Sequence, residues 1–385
     1  MRIKKWTSSV WILPLAVFML AANPTLLYSA PVPGNSFIQH NLVSDIPGLA
    51  SYTDPNLVNP WGVSFSSKSP FWVNDNGTGV ATLYNTFGVK QGLVVSIPPP
   101  MGSTATAAPT GQVFNGNSAN FGGAHFIFST EDGTISAWSG SPNPNLANLV
   151  VDNSAATSVY KGLAMATAGG ASYIYATDFR LGAIDVFDSS FSAHSFGAGT
   201  FTDTTLPAGY APFGIQTFGG NLYVTYALQD AAKHDDVACP GCGFVDVYSS
   251  SGVLMQRLVS GGFLNSPWGM AIAPAGFGSF TGDLLVGNFG DGKINVYNSA
   301  GLWLATLDDT HGNPIVNDGL WNITFGNGGN GGFANTLYFT AGLNGEADGL
   351  FGGLSSTPEP GTLTLLGTGF ASLLGYGLRR GKRSA

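Results

Sequence analysis

Charge is what this sequence has least of. Of its 385 residues only 9% are Asp, Glu, Lys or Arg, against about 25% in an ordinary globular chain. Helix bundles and coiled coils need charged outer faces, so the shortage argues against both. Basic residues number 14 against 22 acids, a formal charge of −8, which speaks against nucleic acid as a partner. Two cysteines form the only pair, so no second pair supports a zinc site. GxSxG and HExxH do not occur, and no EF-hand loop pattern does either. What the chain does have is 55 Gly, 22 Pro, 44% hydrophobic and 12% aromatic residues. That content excludes charge-driven disorder. It reads as an all-β protein with many tight turns.

Both ends read as addresses. Arg2, Lys4 and Lys5 precede a short apolar run, Val10 to Ala22, and the small-residue exit Ser29-Ala30. Residues 1–30 therefore read as a secretory signal peptide. At the other end Pro358-Glu359-Pro360 precedes an apolar stretch, Gly361 to Leu378, and then Arg379, Arg380, Lys382 and Arg383. An apolar run closed by basic residues is a stop-transfer pattern, expected to form a transmembrane helix. This three-part order, over residues 355–385, resembles the PEP-CTERM sorting signal. The resemblance implies a Gram-negative host, processing by an exosortase-type enzyme, and delivery to the cell surface or the medium. Without its ends the chain keeps 7 basic and 21 acidic residues. That body is strongly acidic, at −14, and suited to attracting cations.

Residues 31–354 repeat. Asn59-Pro60-Trp61-Gly62-Val63 recurs as Ala211-Pro212-Phe213-Gly214-Ile215 and Ser266-Pro267-Trp268-Gly269-Met270, with weaker copies at Tyr160–Ala164 and Asp318–Asn322. Successive copies lie 50 to 55 residues apart, except for one double step between Trp61 and Leu163 that places a missing copy near Ala124-His125-Phe126. Six units of about 50 residues, each with alternating apolar runs and Gly turns, predict a six-bladed β-propeller of four-stranded antiparallel blades. The sixth unit ends after three strands. Phe37–Val43 is expected to supply the fourth and close the ring, which removes an open sheet edge. The segments Asn41–Asp45, Asn59–Gly62, Tyr226–Asp230, Lys233–Asp236 and Leu285–Gly292 resemble a family of exported bacterial propellers without assigned activity, and more distantly NHL-type repeats. That resemblance implies a fold and an address, and no reaction.

Antiparallel alternation puts the turns after the second strands on one face. Asp75, Glu131, Asp132, Asp178, Asp230, Asp235, Asp236, Asp291, Glu346 and Asp348 fall there. Such oxygen ligands suit Ca²⁺ if they converge, and make ordinary turn chemistry if they do not. Asp75, Asp178, Asp230, Asp235, Asp236, Asp291, Glu346 and Asp348 are the candidate ligands. His234, in the densest ionisable cluster, and His311 are candidate metal ligands or general bases. Cys239 and Cys242 are expected to form a structural disulfide in an exported chain. Gly326–Gly331 matches GxGxxG, but a strand follows it, so the nucleotide-binding reading fails. Trp61, Phe213, Trp268 and Trp321 either stack on sugars at the channel mouth or pack between blades. Two functions remain open. One is a non-catalytic binding module with a monomeric body, contacting an extracellular polysaccharide or a surface protein. The other is a divalent-cation-dependent hydrolase of lactonase type, or a lyase.

Overall fold

The computed structural model describes residue 32 and residues 34–357. The expected signal peptide, the apolar stretch 361–378 and the basic tail lie outside the described residues. Among the described residues no helix is long and apolar enough to cross a membrane.

Six four-stranded antiparallel blades surround a central channel. Blade one is Pro60–Ser64, Phe71–Asp75, Val80–Tyr84 and Lys90–Ser96. The first strands of the next four blades are Pro109–Phe114, Tyr160–Ala168, Tyr210–Phe218 and Pro267–Ile272. Blade six takes Leu320–Phe325, Thr336–Gly342 and Asp348–Ser356 from the end of the body, and Phe37–Ser44 from its start. Phe37 pairs with Ser356 and Ser44 with Leu350, antiparallel. Phe37 and Val43 are buried in this closure. Outside it a short parallel strand, Tyr52–Thr53, adds a fifth member that the sequence does not announce.

The recurring motif has a structural cause. In every blade the pairing of first and second strands slips at the motif, as between Pro60 and Val63 or Pro267 and Met270. Such a bulge re-aims a side chain, and here it buries Trp61 and its counterparts in one cluster. The first strand is the inner edge of its sheet, so the missing N–H of proline leaves no ladder bond unmade. The motif glycine permits close approach: a Cβ on Gly62 would press on the Thr110 carbonyl of the next blade, and one on Gly214 would collide with the Trp268 carbonyl. Blade two keeps this device as Pro109-Thr110-Gly111-Gln112, with its slip between Pro109 and Gln112. The copy expected near Ala124–Phe126 is therefore corrected. Phe126 starts that blade's second strand, and the true copy is hidden because threonine stands where four other blades have a large ring.

A second device closes the ring. The glycine-rich segment 326–331 is the connection between the first two strands of blade six, and it docks on blade one. Asn327 Nδ2 donates to the carbonyls of Ser66 (2.8 Å) and Ser69 (3.0 Å). Its Oδ1 accepts the N–H groups of Gly329 and Gly331.

Candidate functional site

On the face where first strands begin, the channel is plugged. Trp61 stacks on Trp321 with centroids 3.4 Å apart, and Phe289 stacks on the same indole at 4.0 Å. Trp268 meets both tryptophans edge-on. Trp61, Phe213 and Trp321 are at most 1% exposed, and Trp268 is 7% exposed. These rings are spent on one another and offer no free face to a sugar. Beneath the plug the channel holds a cavity of about 370 Å³, lined by uncharged residues including Ser64, Gln112, Gln216 and Asn322.

Lys161 occupies the motif position of blade three, where four of the other five blades place an aromatic ring. Its side chain is 2% exposed. The ammonium is paired with Glu131 Oε1, lies 3.1 Å from Asp235 Oδ1, and sits 5.2 Å from the Trp61 ring centroid. Burial alone would depress the Lys161 pKa. Glu131 and Asp235 outweigh it, and the net shift is upward. Glu131 Oε2 accepts from Asn76 Nδ2 (2.9 Å), and Asn76 Oδ1 accepts from Asn59 Nδ2 (3.3 Å). Asn59 Oδ1 in turn accepts from Trp321 Nε1 (2.9 Å). The ion cluster and the plug thus form one hydrogen-bonded unit.

The long insert of blade four supplies the outer half. Asp230 Oδ1 accepts the backbone N–H groups of His234 (2.8 Å) and Asp235 (3.3 Å), which shapes the turn. His234 Nδ1 lies 2.9 Å from Asp235 Oδ1. Partial burial works against ionisation of Asp235, but Lys161 and His234 hold its carboxyl below the ordinary range. The insert also carries the Cys239–Cys242 disulfide, with Cα atoms 5.3 Å apart.

Glu346 faces this cluster from blade six. Burial, together with Glu131, Asp235 and Asp236, pushes its carboxyl up to about 7, against the pull of Lys161. Its backbone is left-handed, φ 70°, which costs energy in a non-glycine residue. Because the folded pKa is raised, Glu346 contributes stability fully present below its unfolded pKa of about 4.5 and lost as pH rises through 7. Glu346→Gln should therefore flatten the stability profile between pH 4.5 and 7 and raise the melting temperature at pH 8. Parallel melts of both proteins across that range test this, and unchanged slopes would remove Glu346 from the cluster's electrostatics.

The expected cation ligands do not all meet. Glu131, His234 and Asp235 bring ligand atoms within 4.8 Å of one another, and Glu346 and Asp236 couple to them electrostatically. Asp230 works as the turn's acceptor. Asp75 is buried and accepts from Thr82 Oγ1 (2.7 Å). Asp178, also buried, accepts the N–H groups of Val159 and Leu181. Asp291 binds Lys293 and Asn288, and Asp348 binds Asn344. His311 is 80% exposed beside Asp309 and is not among the ligand atoms that meet at Glu131, His234 and Asp235. Each of these acids binds partners of its own, although Asp75 Oδ1 and Asp178 Oδ2 are buried without a hydrogen-bond partner. Lys161, which the motif reading passes over, is the centre; its signal is the one charged residue in a column of four aromatic rings and a threonine.

Residues 356–383 match the PEP-CTERM protein-sorting motif, which marks the chain as exported and surface-directed. A solved protein of unknown function from Bacteroides thetaiotaomicron shares the fold, with TM-score 0.53 at 11% identity over 84% of this chain and 77% of that one. Two uncharacterized proteins of Acanthamoeba polyphaga mimivirus are closer in sequence. R648 is 31% identical over 81% of this chain and 78% of its own length. L690 is 33% identical over 81% and 84%. This six-bladed propeller with a PEP-CTERM motif thus belongs to the same protein family as mimivirus R648 and L690.

Proposed function

We propose that this exported propeller is a non-catalytic binding module of the cell surface or its matrix, and that its ligand face is the mouth around Lys161. One observation carries the reading: the Lys161 ammonium sits among the carboxylates that a divalent ion would use. A fully paired lysine is neither nucleophile nor base at neutral pH, and the plug beneath leaves a substrate no depth. Around that closed centre Asp235, His234, Asp132 and Glu346 present polar groups outward. They suit a hydroxyl-rich extracellular polysaccharide or a basic patch on a surface protein. In this reading residues 1–30 are removed on export, 31–354 form the working body, and an exosortase-type enzyme removes the basic end of 355–385.

The alternative, a cation-dependent hydrolase or lyase, is favoured by the His234–Asp235 pair beside a carboxyl that titrates near neutrality. Calorimetric titration with extracellular polysaccharide from the producing bacterium separates the two. Binding that Asp235→Asn with Glu346→Gln abolishes supports the module. Metal-stimulated lactone hydrolysis that His234→Ala abolishes would overturn it.

A further inference from the structure

The two faces of the ring differ in charge. On the mouth side, turns between second and third strands hold seven acids, Glu131, Asp132, Asp230, Asp235, Asp236, Asp291 and Glu346, and three basic residues, Arg180, Lys233 and Lys293. The opposite face carries the connections from first to second strands (65–70, 115–125, 169–170, 219–220, 273–283, 326–335). It also carries those from third to fourth strands (85–89, 139–147, 189–192, 250–253, 298–302). All of these segments together hold two charged residues, Lys68 and Asp283, and two more, Asp188 and Lys90, flank the turns 189–192 and 85–89. Their tips include large apolar side chains: Phe87 is 62% exposed, Phe333 52%, Val253 61% and Leu302 64%. Phe87 and Phe333, from blades one and six, meet edge to face with centroids 5.9 Å apart. The turns hold these tips out firmly. Asn85 Oδ1 accepts the N–H groups of Phe87 (2.9 Å) and Val89 (3.0 Å), and Asn298 Oδ1 does the same for Ala300 and Leu302. Turn chemistry of this kind asks for no apolar residue at the tip. An exposed apolar set on a charge-poor surface marks an interaction site.

The path of the chain says what covers it. Thr357 follows the last strand at this face and donates its N–H to the Ser36 carbonyl (2.9 Å), so both ends of the body leave here. The sorting motif begins at residue 356, and only Pro358-Glu359-Pro360 separates Thr357 from the apolar stretch 361–378. Three extended residues span about 10 Å. We propose that this face docks on the lipid bilayer while the sorting tail is attached, with the acidic mouth turned away from the membrane. The inference rests on the reading of 361–378 as membrane-inserted. A tether that short brings the face to the headgroups. Phe87 and Phe333 then gain by entering the interfacial layer, and the acids stand off from anionic lipid.

The test uses the full-length chain in nanodiscs of phosphatidylethanolamine and phosphatidylglycerol, followed by hydrogen exchange. The comparison is the full-length Phe87→Ser/Phe333→Ser variant in the same nanodiscs, with melting curves to show that it is folded. Docking predicts several-fold slower exchange at 85–89 and 326–335 in the wild type, lost in the variant, with 229–243 alike in both. Equal exchange in a chain that is retained by the nanodiscs overturns the docking alone. Protection at 229–243 instead means that the mouth docks, and also overturns it. A chain that the nanodiscs do not retain overturns the membrane reading of 361–378, and the docking with it.

Discussion

A chain lacking residues 31–45 should fail to reach a stable fold at 25 °C and should aggregate when refolded. The deletion removes Phe37 and Val43, each fully buried and each worth about 1.5–3 kcal/mol. It also removes a ladder running from Phe37–Ser356 to Ser44–Leu350, with backbone bonds of about 1 kcal/mol net apiece. Together that is on the order of 10 kcal/mol, comparable to the whole stability of a typical domain. The loss also bares the edge of Asp348–Ser356 to pairing with other chains. Urea unfolding followed by light scattering measures both effects. Adding a peptide of residues 31–45 should restore the monomer. A truncated protein that unfolds at the wild-type midpoint would show that the Asn327 clip alone closes the ring.

The second large effect is expected at Lys161. Lys161→Met leaves Glu131 partly buried without its counter-charge, and breaking such a pair from one side costs about 3–5 kcal/mol. Urea unfolding at pH 7 should show that loss, and Lys161→Met with Glu131→Gln should recover most of it. The single variant also vacates a place among Glu131, His234 and Asp235. Millimolar Ca²⁺ should therefore raise the melting temperature of Lys161→Met, as any ligand selective for the folded state does, and leave the wild type unmoved. A wild-type melt that shifts between EDTA and Ca²⁺ would return the cation to the native mouth.

The blades were legible because every blade reuses one local solution. A bulge, a glycine against the next carbonyl and a turn after each strand recur at a readable interval. Where the side chain at the bulge changes class, as at Thr110 and Lys161, the interval alone neither places the copy nor shows its role. The acids on the mouth face were legible as turn residues. Their partners were not, because an acid such as Asp291 is bound within its own turn, whereas Glu131 and Asp235 reach Lys161 across 30 and 74 positions. Periodicity speaks for local geometry. It does not say which turns lean inward.

The closure of blade six by Phe37–Ser44 also sets an order of events. His40 and Ser355 are bonded across 315 positions, among the longest separations the chain allows, and contacts of that kind form late. In a chain that emerges from its N-terminus, Phe37–Ser44 comes first and its partner Asp348–Ser356 comes last, so Phe37 and Val43 have no ladder to join until the end of the body is available. The sequence that finally covers them ends at Ser356, where the sorting motif begins. Ring closure and arrival of the sorting signal are therefore a single moment in the life of the chain. A newly made molecule that presents its tail for processing has just acquired the partner strand that completes its fold.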